Sequence, residues 1–185
     1  MQIPVVWSPE TRRHVPRHEV WVGVPTPGTE VPERVDSILD ALGGHARHEA
    51  TPHDDELLEA VHDAGLLTFL RGAADAWAAA PYEELVGQDR VVPYFFPTPA
   101  LLAGMQPTPP AALHAQAGQH CYDTMTLVGP GTWEAARGAA DAAISAANQS
   151  MRSVATNLRF EKDSDSGKIV VRVIDSETQQ VLRQM

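Results

Sequence analysis

Residues 142–177, AAISAANQSMRSVATNLRFEKDSDSGKIVVRVIDSE, change their pattern in mid-run. The left part is alanine-rich and reads as a helix. The right part alternates, with Ile169, Val171 and Val173 interleaved with Val170, Arg172 and Ile174, the period of a strand. DSDSG at 163–167 supplies turn chemistry between two strands, and VLRQM adds a third short one. A chain built this way must carry a strand segment directly on the end of a helix.

Composition changes at the same place. Residues 1–145 carry 8 Arg, no Lys and 19 acids, whereas 146–185 carry 4 Arg, 2 Lys and 5 acids. All 15 prolines, 8 histidines and 4 tryptophans precede residue 134. The expected junction therefore lies near Ala146–Gln149, dividing the chain into 1–146 and 147–185. The net charge of -10 argues against a nucleic-acid surface, which needs clustered Lys and Arg. No run of about 18 apolar residues suggests a membrane span, so no membrane partner is expected. The opening MQIPVVWSPETRRHVP lacks the pattern of a signal peptide. The single cysteine, Cys121, fits a reducing compartment, and the expected location is the cytoplasm.

Along the first part, IPVVWS reads as a strand, VGVPTPGTEVP as a loop and PERVDSILDALGG as a helix ended by Gly-Gly. RHEATP suggests a second short strand. DDELLEAVHDAGLLTFLRGAADAWAAA reads as two helices broken at Gly65. Residues 87–119 form a long Pro-rich stretch of the kind that is often functional or interface-forming. GPGTWEAARGAADAAISAAN opens a further helix with Thr132 as its expected N-cap.

The histidines give no metal motif. His14 and His18 are four apart, but Val15-Pro16 between them argues against a helix. His45, His48 and His53 sit in a polar turn region, where surface histidines are the simpler reading. His62-Asp63 reads as capping at the helix break. DSDSGK is no calcium loop: counted from Asp163, position six is Lys168 and position twelve is Ile174, where Gly and Glu are required.

PERVDSILDALGG, LLEAVHDAGLLTFLRGAADAW and CYDTMTLVGPGTWEAARGAADAAISAA together resemble the N-terminal part of the histone deacetylase and acetylpolyamine amidohydrolase superfamily. The resemblance implies an α/β fold of the arginase/deacetylase type. Here it is expected to be incomplete, mainly helical with a short parallel sheet portion, and followed by a C-terminal β-hairpin or meander. It also implies zinc-dependent hydrolysis of acetylated amines, with a His general base and a Tyr hydroxyl at the oxyanion. In that family a P-P-G-H-H segment follows the GTWEAA helix and an Asp-x-His motif comes later. This sequence contains no His-His and no Asp-x-His. No catalytic residue and no zinc ligand is therefore assigned. The resemblance implies a substrate-channel rim at Asp123 and Thr124, for which capping of the helix near Thr132 is the competing role. Tyr94, Phe95 and Phe96 either line an aromatic channel mouth or stand exposed and self-packed.

NLRFEKDSDSGKIVVRVIDSETQQVLRQM resembles the C-terminal part of the FlaG family of flagellar accessory proteins, which have no enzymatic activity. The expectation from both resemblances is a truncated, non-catalytic chimera. The alternatives are a flagellar accessory protein with a flagellar partner, or a deacetylase subunit completed by another chain. A parallel sheet needs both faces covered, so a partial one implies uncovered apolar surface. Homo-oligomers through that surface or through the Pro-rich loop are expected.

Overall fold

A computed structural model of the chain describes residues 4–80, 90–93, 95–106, 108, 110–125, 128–152, 156–162, 169–175 and 180–184, with side chains beyond residue 150 only at Ile174, Gln180 and Val181. The strands are β1 (Val5–Trp7), β2 (His18–Trp21), β3 (Val24–Pro27), β4 (Arg47–Glu49), β5 (Thr156–Lys162), β6 (Ile169–Asp175) and β7 (Val181–Gln184). The helices are α1 (Glu33–Ala41), α2 (Asp55–Glu59), α3 (Ala64–Ala79), α4 (Pro99–Leu102), α5 (Leu113–His120) and α6 (Thr132–Arg152), with a 3-10 turn at Pro9–Arg13. Among the described residues no helix is long and apolar enough to cross a membrane.

The chain divides into two compact units, one of residues 1–9, 42–62 and 137–185, the other of residues 10–41 and 63–136. In the first, β1 and β4 pair in parallel with Val6 opposite His48 and Trp7 opposite Glu49. The β-branched Val5-Val6 favours the extended backbone. All three residues of β4 are exposed, unusual for a parallel strand, which is ordinarily covered on both faces. β5, β6 and β7 form an antiparallel sheet in that order, with Leu158 opposite Val173 and a register shift at Val173/Ile174. Ile174 is buried. The period-two segments are thus strands, while the expected turn at 163–167 lies outside the described residues.

The second unit is built around α3 and α5. Phe69, Ala73 and Trp77 recur along one face of α3 and pack with Ala117 of α5 and with Val91 and Val128, which are joined by an isolated bridge. Gly118 allows the close approach: a Cβ there would lie 1.5 Å from the Phe95 carbonyl oxygen. The Arg71 guanidinium lies over the Trp133 ring at 4.9 Å.

Four local expectations are corrected. The segment read as a loop contains β3, which pairs with β2 as a hairpin. Pro25 and Pro27 concealed it, because proline is tolerated in a two-stranded edge position. The helix break falls at residues 60–63 rather than at Gly65, since the Asp63 carboxylate accepts from Leu66 N–H and starts α3 ahead of that glycine. The Pro-rich stretch holds α4, with Thr98 capping it and Pro99 in its first turn, and α5. Thr132 is the first residue of α6, and its hydroxyl turns back to accept from Gly129 N–H at 2.9 Å.

Candidate functional site

The rim residues inferred from the sequence are only partly gathered. The Thr124 hydroxyl donates to the Val20 carbonyl at 2.9 Å, tying the loop after α5 to β2. Asp123 accepts from Met125 N–H at 2.9 Å, so its carboxylate shapes its own loop. Phe95 is half exposed and its backbone carbonyl lies against Gly118 of α5; Phe96 is partly buried. Tyr94 lies outside the described residues.

Beside these residues is a concavity the sequence did not single out. A cavity of about 850 Å³ opens along α3, α4 and α5, walled by Phe69, Ala73, Leu102 and Leu113, with Asp63, Thr68, Gln116, Gln119 and His120 as its polar groups. His120 stacks on Phe69 with ring centroids 5.2 Å apart. Burial lowers the His120 pKa, against the opposing pull of Asp63. Cys121, next in the chain, has its thiol pushed up by burial and then by Asp123, so it is not an activated thiolate. The i, i+4 spacing of Phe69 and Ala73 was legible; that α5 would lie against them was not.

A second, polar pocket of about 340 Å³ lies within the other unit, at the carboxyl end of the β1/β4 pair. His48, Glu49, Thr51 and His53 face Ser145, Asn148 and Gln149 of α6 across it. Asp141, itself buried, accepts from both the backbone N–H and the ring Nδ1 of His53. Arg137 pairs with Asp55 and donates to the His53 carbonyl. The signal was present in the sequence as Arg137, Asp141 and Ser145, each four apart and therefore on one helix face.

The zinc centre implied by the resemblance can be tested against the donors. Among the described residues no three His, Cys, Asp or Glu side chains gather in a way that could hold a metal ion. The described residues therefore do not fit the metal.

Known proteins of two kinds match the chain. The family model for the FlaG protein matches residues 133–185. Over 147 residues the chain is 31% identical to the acetylpolyamine amidohydrolase of Mycoplana ramosa, spanning 78% of this chain and 40% of that protein. It is 29% identical over 144 residues to acetylpolyamine amidohydrolase 2 of Pseudomonas aeruginosa, spanning 76% and 39%. A solved acetylpolyamine aminohydrolase from Burkholderia pseudomallei superposes with a TM-score of 0.70 at 27% identity, covering 83% of this chain and 42% of that one. The N-terminal part is thus homologous to acetylpolyamine amidohydrolases, and its helices and small sheets are consistent with part of that α/β fold. The chain spans about 40% of the length of the curated relatives it matches.

Proposed function

We propose that this chain performs no amide hydrolysis by itself and serves as an amidohydrolase-like body bearing a FlaG-like strand segment. The supporting observation is the course of α6. The helix starts in GPGTWEAA, runs without interruption to Arg152 and is followed by β5. In the family resembled, that helix leads instead to the histidine pair that removes the proton from water. The β5–β7 sheet occupies the place in the sequence where the hydrolytic centre would begin.

Elemental analysis of purified protein after dialysis tests the reading, together with an assay on an N-acetylated diamine. Zinc at background and no amine release are expected. Close to one zinc per chain with turnover would overturn it. The FlaG match favours a second reading, a flagellar accessory role carried by the C-terminal segment. Co-sedimentation with filaments grown from purified flagellin would support that role, and failure to sediment would remove it.

A further inference from the structure

The pocket between β4 and α6 is polar where the cover of a sheet is ordinarily apolar. A parallel pair is normally buried on both faces, and a helix lying against it turns hydrophobic residues inward. Here α6 presents Ser145, Asn148 and Gln149, and Val6 is the one apolar side chain in the lining. The α6 wall lies within the residues matched by the FlaG family model, 133–185, and the β4 wall lies outside them. The pocket is therefore a product of the join between the two parts.

These groups make little use of one another. Ser145 accepts from Thr51 N–H, and His53 is held by Asp141. Among the described residues no hydrogen bond engages the side chains of His48, Glu49, Asn148 or Gln149. Asn148 and Gln149 are half-buried, and each carboxamide brings two donors and an acceptor to the hollow. Convergent polar groups in a concavity call for a polar occupant.

Charge narrows that occupant. The lining holds no Lys or Arg, so an anion would find no cation and would face Glu49. Arg137 of the same helix is already paired with Asp55 and Asp141. Two acids against one guanidinium leave that cluster negative, Glu49 adds to it, and the chain carries -10 in all, so the local field favours a cation. A bare metal ion finds no set of three ligands among the described residues. An apolar molecule finds only Val6.

We propose that this pocket binds a small polyhydroxylated amine, an amino sugar or amino alcohol of single-ring size. Its ammonium pairs with the Glu49 carboxylate, and its hydroxyls exchange hydrogen bonds with the Asn148 and Gln149 carboxamides and the Ser145 hydroxyl. The volume of about 340 Å³ lies at the small end of ligand pockets, which span about 300–1,000 Å³. The inference does not depend on the functional reading above.

Titration of the isotope-labelled full chain with D-glucosamine near neutral pH, followed through its amide NMR shifts, tests it. Saturable shifts confined to residues 48–53 and 145–149 are expected, with a Kd of about 1 mM. D-Glucose lacks the ammonium and cyclohexylammonium lacks the hydroxyls, so each should bind at least about tenfold more weakly. Glu49→Gln, on an exposed side chain, should weaken glucosamine about tenfold and leave glucose unchanged. Asn148→Ala/Gln149→Ala should weaken both sugars, and circular dichroism melts confirm that each variant folds. Should the double variant melt early, Asn148→Ala alone takes its place. Absence of saturable shifts would leave the pocket to water and overturn the proposal. Equal affinity for glucose, equal affinity for cyclohexylammonium, or shifts centred elsewhere would each overturn it as well.

Discussion

The Asp141 carboxylate holds a single residue twice: His53 donates its backbone N–H at 3.0 Å and its ring Nδ1–H at 3.2 Å to the same Oδ1. Because a carboxylate only accepts, the ring nitrogen that faces it is the donor. Arg137 Nε lies 3.5 Å from the other carboxylate oxygen, an ion pair without a hydrogen bond. Replacing Asp141 by Ala removes both His53 contacts and leaves the largely buried Arg137 with less compensation. Asp141→Ala should therefore lower unfolding stability by about 3 kcal/mol. Asp141→Asn, which keeps an acceptor, should lose about half as much. Urea titrations of the two variants check both magnitude and order.

Gly118 makes a prediction whose sign separates two effects. By helix propensity alone, alanine in α5 would stabilise by about 1 kcal/mol. The Phe95 carbonyl oxygen occupies the Cβ position, so Gly118→Ala must push backbone against backbone. A net loss of about 3 kcal/mol is expected. A denaturation midpoint at or above that of the wild type would mean that the 95–96 segment is not seated on α5.

Val22 predicts the opposite outcome for a change to glycine. Its left-handed backbone is unfavourable for a β-branched residue, and its side chain is nearly all in water. Val22→Gly should raise stability by about 1 kcal/mol, with the greater freedom of glycine in the unfolded chain subtracting from the relief of strain. A thermal melt shifted upward by several degrees is the readout.

Acid should weaken the fold in two stages. Burial, followed by the nearby Arg90, lowers the pKa of His14 from its ordinary 6.5, against Glu30. The unfolded chain therefore takes up this proton more readily than the folded one. Stability is full above 6.5 and is lost as pH falls from there towards the folded value. Glu19 is lowered from its ordinary 4.5 by hydrogen bonds from the Thr29 backbone N–H and then the Thr29 hydroxyl, with Glu30 N–H adding to them and burial opposing. Its contribution is present above 4.5 and disappears as pH drops through the folded value. Melting temperatures between neutral pH and pH about 3 should show both losses. Glu19→Gln should flatten only the lower one.

What could be read from the sequence was whatever depends on local periodicity. Val5–Trp7, Arg47–Glu49 and the alternation at Ile169–Ile174 gave strands, and the apolar spacing of Leu57, Leu58, Phe69 and Leu70 gave helices, as found. What could not be read depends on which partner, near or distant in the chain, each group takes. β3 was masked by its own prolines, because only the presence of β2 alongside makes that strand worthwhile. Gly65 drew the helix break towards itself, although Asp63 two residues earlier provides the cap. Of the rim residues, Thr124 does join a tertiary contact, but its acceptor, the Val20 carbonyl, is 104 residues away and carries no sequence signal. His53 looked like a surface histidine because Asp141 lies 88 positions later.

One consequence follows from the way residues 51–53 meet α6. Thr51 N–H donates to the Ser145 hydroxyl at 3.1 Å, and His53 is held by Asp141. Two residues of extended chain advance about 6.6 Å, and four residues of helix advance about 6 Å. The two scales agree over this one interval, so the loop works as a gauge of helical pitch. An inserted residue between Asp141 and Ser145 would turn one of them away by about 100°. The loop could then engage either mark on the helix, but not both.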